Sequence, residues 1–135
     1  MRLTAYADGA SRGNPGPAAY GAAVFDEEGG ELRAVREAIG RGTNNEAEYR
    51  GAIAAVRAAL ELGATELELR LDSQLIVRQL QGSYRVRNER LKPLYRQLLA
   101  LVDQLAGFNV DHVPREQNKR ADALANAALD GQELD

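Results

Sequence analysis

Residues 2–8 (Arg-Leu-Thr-Ala-Tyr-Ala-Asp) alternate in side-chain character and predict a first strand that ends at Asp8. Two more strands follow, Ala19 to Asp26 and about Glu31 to Ile39, joined as an antiparallel hairpin through Glu27-Glu28-Gly29-Gly30. The period then changes. Tyr49, Ile53, Val56 and Leu60 mark one face of a helix over about 45–62, with Gly63 as its stop. Ala52, Ala55 and Ala59 are small enough to let that helix approach a sheet closely. Glu66-Leu67-Glu68-Leu69-Arg70-Leu71 alternates strictly and ends at Asp72. Ser73 caps a short helix over 74–81, with Ile76, Val77 and Leu80 inward and Gly82 as its stop. A basic loop at 83–90 leads into a helix with Pro93 near its start, buried through Leu94, Leu98, Leu101 and Leu105. Phe108 to Val113 reads as the last strand, and Pro114 to Lys119 as a loop. Asn118 is expected to cap a final helix with Ala121, Leu124, Ala125 and Ala128 on its inner side.

The order βββαβααβα places the chain in the α/β class, with a five-stranded mixed sheet in which an antiparallel hairpin sits beside parallel crossover strands. A length of 135 residues suits one domain, here 1–130, followed by a frayed tail at 131–135.

The polar loop Arg41-Gly42-Thr43-Asn44-Asn45-Glu46-Ala47-Glu48-Tyr49 runs into the long helix and puts Glu48 in its first turn, at the edge of the buried stripe. A carboxylate there needs a partner or a cation, because an unpaired buried charge is costly. Asp8 and Asp72 end strands whose carboxyl ends lie together if those strands are parallel neighbours. Asp122 and Glu48 sit in or near a first helical turn and can face those ends. Singly, each acid has an ordinary reading as a cap or as a partner of the helix dipole. Four converging carboxylates would repel strongly without cations.

Composition narrows the choice of cation. The chain has no cysteine and a single histidine, His112, so thiolate and paired-imidazole sites are excluded. Oxygen-only ligation suits hard ions, Mg²⁺ or Mn²⁺. The formal net charge of −3 argues against a polyanionic partner at first sight, but becomes +1 once the four site acids are set aside. Arg78, Arg85, Arg87, Arg90, Lys92 and Arg96 also cluster against Glu89 alone. Arginine suits bidentate phosphate contacts. No apolar run approaches a membrane span and no signal peptide opens the chain, so a cytoplasmic protein with no membrane partner is expected.

Four motifs carry a resemblance. Tyr6-Ala7-Asp8-Gly9 with Gly13-Asn14-Pro15-Gly16-Pro17, then Thr43-Asn44-Asn45-Glu46-Ala47-Glu48, Asp72-Ser73-Gln74, and Asn118-Lys119-Arg120-Ala121-Asp122 resemble ribonuclease H of the type 1 family. They occur in the family's order across essentially the whole chain. Val113-Pro114-Arg115-Glu116 and the short 82–90 connection look most like the compact branch that includes archaeal enzymes and lacks the basic protrusion. The resemblance implies a sheet flanked by helices on both faces. It also implies an endoribonuclease that cuts the RNA strand of RNA–DNA hybrids by a two-metal mechanism, leaving 5′-phosphate and 3′-hydroxyl ends. Double-stranded RNA is a second candidate substrate, and a monomer is expected. Asp8, Glu48, Asp72 and Asp122 would be the metal-binding catalytic set, with Asp8 bridging two Mg²⁺ ions for which Mn²⁺ can substitute.

Asn14, Asn44, Asn45 and Gln74 match family positions near the hybrid's minor groove, where an amide suits a 2′-hydroxyl. As plain residues, Asn and Gly build turns. Arg41 and Thr43 match the pocket for a DNA-strand phosphate. His112 lies ten residues before Asp122, as does the mobile histidine of bacterial relatives, but it also reads as the end of a strand. Arg115 is the functional stand-in in the compact branch, and Glu116 is a further acid within reach. Two competing readings are a hybrid-binding module that has lost catalysis and a DNA-acting nuclease of the same fold.

Overall fold

The alternation that opens the chain becomes β1 (Arg2–Ser11) in the computed structural model, which describes residues 1–134, with side chains through Gly131. β1 does not end at Asp8. It pairs antiparallel with β2 (Gly16–Phe25) from Thr4↔Phe25 as far as Ser11↔Ala18, so Asp8 lies within the strand opposite Gly21. The stretch from Gly9 to Pro17 is dense in turn formers, but the ladder keeps its hydrogen bonds until the turn at residues 12–15. β3 (Glu31–Gly42) likewise outruns its expected end at Ile39, because β2 continues to offer it partners to Gly16↔Gly42.

The other face of β1 pairs in parallel with β4 (Glu66–Leu71), which pairs in parallel with β5 (Gly107–His112). The sheet order is β3-β2-β1-β4-β5, the mixed arrangement expected from the element order. Parallel pairing of β1 and β4, in register to Ala7↔Leu71, sets Asp8 within β1 beside Asp72, the residue after β4.

Helix α1 (Asn44–Glu61) starts one residue earlier than its hydrophobic period suggests. Thr43 is the cap: its Oγ1 accepts from the Glu46 backbone N–H at 3.1 Å, and its hydroxyl lies 3.2 Å from the Glu46 carboxylate. Thr-x-x-Glu is a capping box in which the loop hydroxyl satisfies a free helical N–H. Glu48 therefore sits in the second turn, not the first. Ser73 caps α2 (Gln74–Leu80), accepting from the Ile76 N–H at 3.3 Å. Helix α3 (Lys92–Val102) carries Pro93 in its first turn. After β5 and a short 3-10 turn at Arg115–Gln117 comes α4 (Lys119–Leu134). The frayed tail expected at 131–135 falls on the last turn of that helix and on positions outside the described side chains.

Successive residues of β2 show how the layers form. A Cβ on Gly51 of α1 would lie 3.2 Å from the Tyr20 side chain, whereas one on Gly21 would lie 2.5 Å from the Ala121 carbonyl of α4. Neighbouring strand residues point to opposite faces, so α1 and α4 lie on opposite sides of the sheet. Leu3, Ala5, Ala7, Val24, Tyr49, Val56, Leu69, Leu71 and Leu98 fill the α1 side. On the α4 side the inward positions are Ala121, Leu124, Ala125 and Leu129, with Ala128 only half-buried. Among the described residues, no helix is long and apolar enough to cross a membrane.

Glycine at position 21 is what lets α4 lie on the sheet. A side chain there would meet Leu124 Cβ at 2.5 Å and the Ala125 N at 2.6 Å. Gly21→Ala is expected to lower unfolding free energy by about 3 kcal/mol through forced separation of helix and sheet, measured as a shift of the urea midpoint at unchanged slope.

Candidate active site

Asp8, Glu48 and Asp72 offer carboxylate oxygens that all lie within 4.8 Å of one another. Three separate elements supply them. Strand β1 carries Asp8, α1 carries Glu48, and the residue just beyond β4 is Asp72. The approach of α1 to β1 depends on Gly9, where a Cβ would fall 2.3 Å from both the Ala47 carbonyl carbon and the Glu48 N. Asp8 and Glu48 are buried, at 5% and 8% exposure, and Asp72 is half-buried.

Asp122 joins the group from α4. It lines the same cavity, of about 350 Å³, with Asp8, Glu48, Asp72, Arg115, Asn44 and Asn126. All four acids expected to converge therefore do so on one cavity.

The electrostatics of Asp8 and Glu48 follow from burial beside like charges. Burial, Asp72 and Asp122 push the Asp8 carboxyl up to about 7, against a hydrogen bond with Glu48 that lowers it. Burial and the neighbouring Asp8 push Glu48 well above the ordinary carboxylate range. The contact between the two carboxyls acts in opposite senses on them, lowering Asp8 and raising Glu48. The Gly9 N–H also donates to Asp8 Oδ1 at 3.0 Å. Glu48 Oε2 is buried and has no hydrogen-bond partner. An orphaned carboxylate oxygen facing two other carboxylates fits a hard divalent cation.

Arg115 Nη2 lies 3.7 Å from Asp122 Oδ1, with the side chain otherwise largely in solvent. His112 is the exposed last residue of β5, opposite Leu71 in the β4 ladder, and does not line the acidic cavity. Glu116 lines a different cavity, of about 540 Å³, beside Tyr6, Phe25 and Arg70. Among the amides, Asn44 is exposed at the rim of the acidic cavity and Asn45 is half-buried next to it. Asn14 accepts from the Asn44 N–H at 3.0 Å, so it ties the β1–β2 turn to the start of α1. Gln74 is exposed at the start of α2, Arg41 is exposed near the end of β3, and Thr43 serves as the α1 cap.

One neighbour escaped the sequence reading and another was assigned a different role there. Asn126 donates to the Asp122 carbonyl at 3.0 Å and reaches its Oδ1 at 3.3 Å. The i,i+4 spacing from Asp122 was the available signal. Asn118 is the other, and its expected capping role is not what its side chain performs. Its Nδ2 donates to the Ala7 carbonyl at 2.9 Å and to Asp72 Oδ2 at 3.0 Å, while only its backbone carbonyl serves the helix by accepting from the Asp122 N–H.

Comparison with known proteins places these features in a family. The family model described as reverse transcriptase-like matches residues 6–128. A bifunctional protein of Mycobacterium tuberculosis is 48% identical over 96% of this chain, and the aligned region covers 36% of that protein. Ribonuclease HI of Halobacterium salinarum is also 48% identical over 96% of the chain and 65% of its own length. The chain thus spans only part of the curated relatives it matches. The crystal structure of the H. salinarum enzyme superimposes with a TM-score of 0.94 at 46% identity, covering 97% of this chain and 99% of that one. LC11-RNase H1 in complex with an RNA/DNA hybrid superimposes with a TM-score of 0.92 at 39% identity, covering 98% and 99%.

The raised Asp8 carboxyl has a consequence for stability. Its unfolded value is near 4 and its folded value about 7, so the metal-free native state holds a proton that the unfolded chain releases earlier. Stability from this group is complete below about pH 4 and is lost as pH rises through about 7. Asp8→Asn removes the repulsion. Thermal melts in chelator are expected to show the variant's advantage over wild type growing across that window, to about 4 kcal/mol. A difference that stays constant with pH would refute the raised Asp8 carboxyl.

Proposed function

Because this chain belongs to the type 1 ribonuclease H family, we propose that it is an endoribonuclease that hydrolyses the RNA strand of RNA–DNA hybrids. The observation that carries this reading is the convergence of Asp8, Glu48 and Asp72 within 4.8 Å, in a cavity that Asp122 also lines. The hybrid seen bound to LC11-RNase H1 supports the substrate class.

Asp8, Glu48, Asp72 and Asp122 are the residues that would hold Mg²⁺, with Mn²⁺ as a substitute. When bound, such ions supply the positive charge that stabilises a phosphodiester's developing negative charge and the acidity that activates water. The four side chains provide only oxygen donors, and the partnerless Glu48 Oε2 supports the fit. Two ions, with 5′-phosphate and 3′-hydroxyl products, are the form of the reaction proposed.

The rest of the chain positions the substrate. Asn44 and Asn45 lie at the start of α1 beside the acidic cavity, where their amides can donate to and accept from a 2′-hydroxyl. Arg41 and Thr43 flank the same loop and suit a phosphate of the DNA strand. Arg115 lines the cavity beside Asp122 and is placed to meet a phosphate oxygen; His112 lies outside it, which favours Arg115 as the assisting group. Double-stranded RNA, which also displays 2′-hydroxyls, is a second substrate to be tested. The enzyme is proposed to act as a monomer in the cytoplasm.

End-labelled RNA–DNA hybrid, RNA duplex and DNA duplex, incubated with Mg²⁺, Mn²⁺ or chelator, test the reading. The expected outcome is metal-dependent cutting of the RNA strand in the hybrid and none of the DNA duplex. Asp8→Asn should reduce cleavage to background while gel-shift binding to the hybrid persists. Binding without cleavage by the wild type would instead establish a catalytically silent module, and full activity in Asp8→Asn would remove the acidic cavity from the mechanism.

A further inference from the structure

Asn118 stands at the junction of three elements, between the end of the 3-10 turn and the start of α4. It is 1% exposed, among the most completely buried side chains of the protein. Its amide NH₂ uses both hydrogens across the chain, one on the Ala7 carbonyl of β1 and one on Asp72 Oδ2 beyond β4. Ala7 immediately precedes Asp8. A single side chain thus grips the backbone next to one site acid and the carboxylate of another.

The other end of the amide is informative. Asn118 Oδ1 is buried with no hydrogen-bond partner. Rotating the amide to exchange its ends would set a carbonyl oxygen against two acceptors, so the donor assignment follows from the neighbours. A buried unsatisfied acceptor is destabilising. An amide in this place is therefore a poor choice for packing and a good one for supplying two neutral donors to two acceptors.

We infer that Asn118 is a positioning residue that fixes Asp72 relative to Asp8, setting the spacing of the carboxylates that receive the divalent cation. An acidic side chain here would repel Asp72, and a longer amide would not fit beside Ala7. The donor restrains the Asp72 carboxylate through Oδ2, leaving Oδ1 for the cavity. Groups that hold a ligating carboxylate in this way typically change metal affinity or activity by about 10- to 100-fold when removed.

This inference rests on the proposed reading of the acidic cavity, and the test separates the two. Mn²⁺ affinity is measured by electron paramagnetic resonance on the full chain, without nucleic acid, for wild type, Asn118→Ala, Asp72→Asn and the double variant. Asn118→Ala is expected to weaken Mn²⁺ binding by about 10- to 100-fold, and to lose most of that effect in the Asp72→Asn background. On hybrid substrate kcat should fall in parallel while KM stays within about twofold, because the substitution is buried away from the nucleic acid. Melting curves in chelator establish that each variant is folded. If Asn118→Ala is not folded, Asn118→Ser, which occupies more of the site, serves in the same cycle. Wild-type Mn²⁺ affinity in a folded Asn118 variant, or effects of Asn118→Ala and Asp72→Asn that simply add, would overturn the positioning role. Failure of the wild type itself to bind Mn²⁺ would overturn the cavity as a metal site.

Discussion

Mutual repulsion between buried carboxylates is the constraint around which this molecule is built. Asp8 and Glu48 are both nearly inaccessible to water, and among the described residues neither is ion-paired with a cationic side chain. Water would screen such charges, and burial removes it. In the metal-free protein this repulsion raises both carboxyls above their ordinary range, and a divalent ion can offset it. Neither effect would exist if the acids sat on flexible loops, because repulsion would then move them apart.

Rigidity comes from the sheet and from two close approaches. Parallel pairing of β1 with β4 sets Asp8 beside Asp72. Gly9 lets the start of α1 press against β1 with no intervening side chain, and Gly21 does the same for α4 on β2. Each contact brings one helix-borne acid, Glu48 or Asp122, up to the strand-borne pair. Small core residues along β1 and α1 extend this economy of volume through the α1 side. The scaffold gives up some apolar burial in exchange for close approach of backbones that carry charge.

Around this centre the polar groups are mostly committed to structure. Thr43 caps α1, Asn14 binds the α1 backbone, and Asn126 leans on Asp122. Asn126 lines the cavity itself, whereas Thr43 and Asn14 act on the backbone at the start of α1, where Asn44 reaches the rim. A turn that holds itself in shape presents its remaining donors at fixed positions, which lowers the ordering cost of binding. Arg115 differs, since its guanidinium is largely exposed while lying 3.7 Å from Asp122 Oδ1.

How much of this was legible from the amino acids alone can be judged residue by residue. Alternation and helical period, which depend only on near neighbours, set out the element order, the mixed sheet and the helices. The motifs around Asp8, Glu48, Asp72 and Asp122 identified the acids that the folded chain gathers. Strand lengths were misjudged because Gly9, Ala10 and Ser11 look like turn residues until β2 is present to pair with them. Glu48 was placed one turn too early because the Thr43 cap acts on the backbone and leaves the hydrophobic period unchanged. Asn118 was read as a cap, since local sequence shows the helix beside it and not the Asp72 carboxylate, 46 positions away in the chain. The sequence by itself determined which groups are available and which faces they share, because those follow from short-range periodicity. Only the tertiary structure decided which acids perturb one another and which amide reaches Asp72, because both depend on distances between segments remote in sequence.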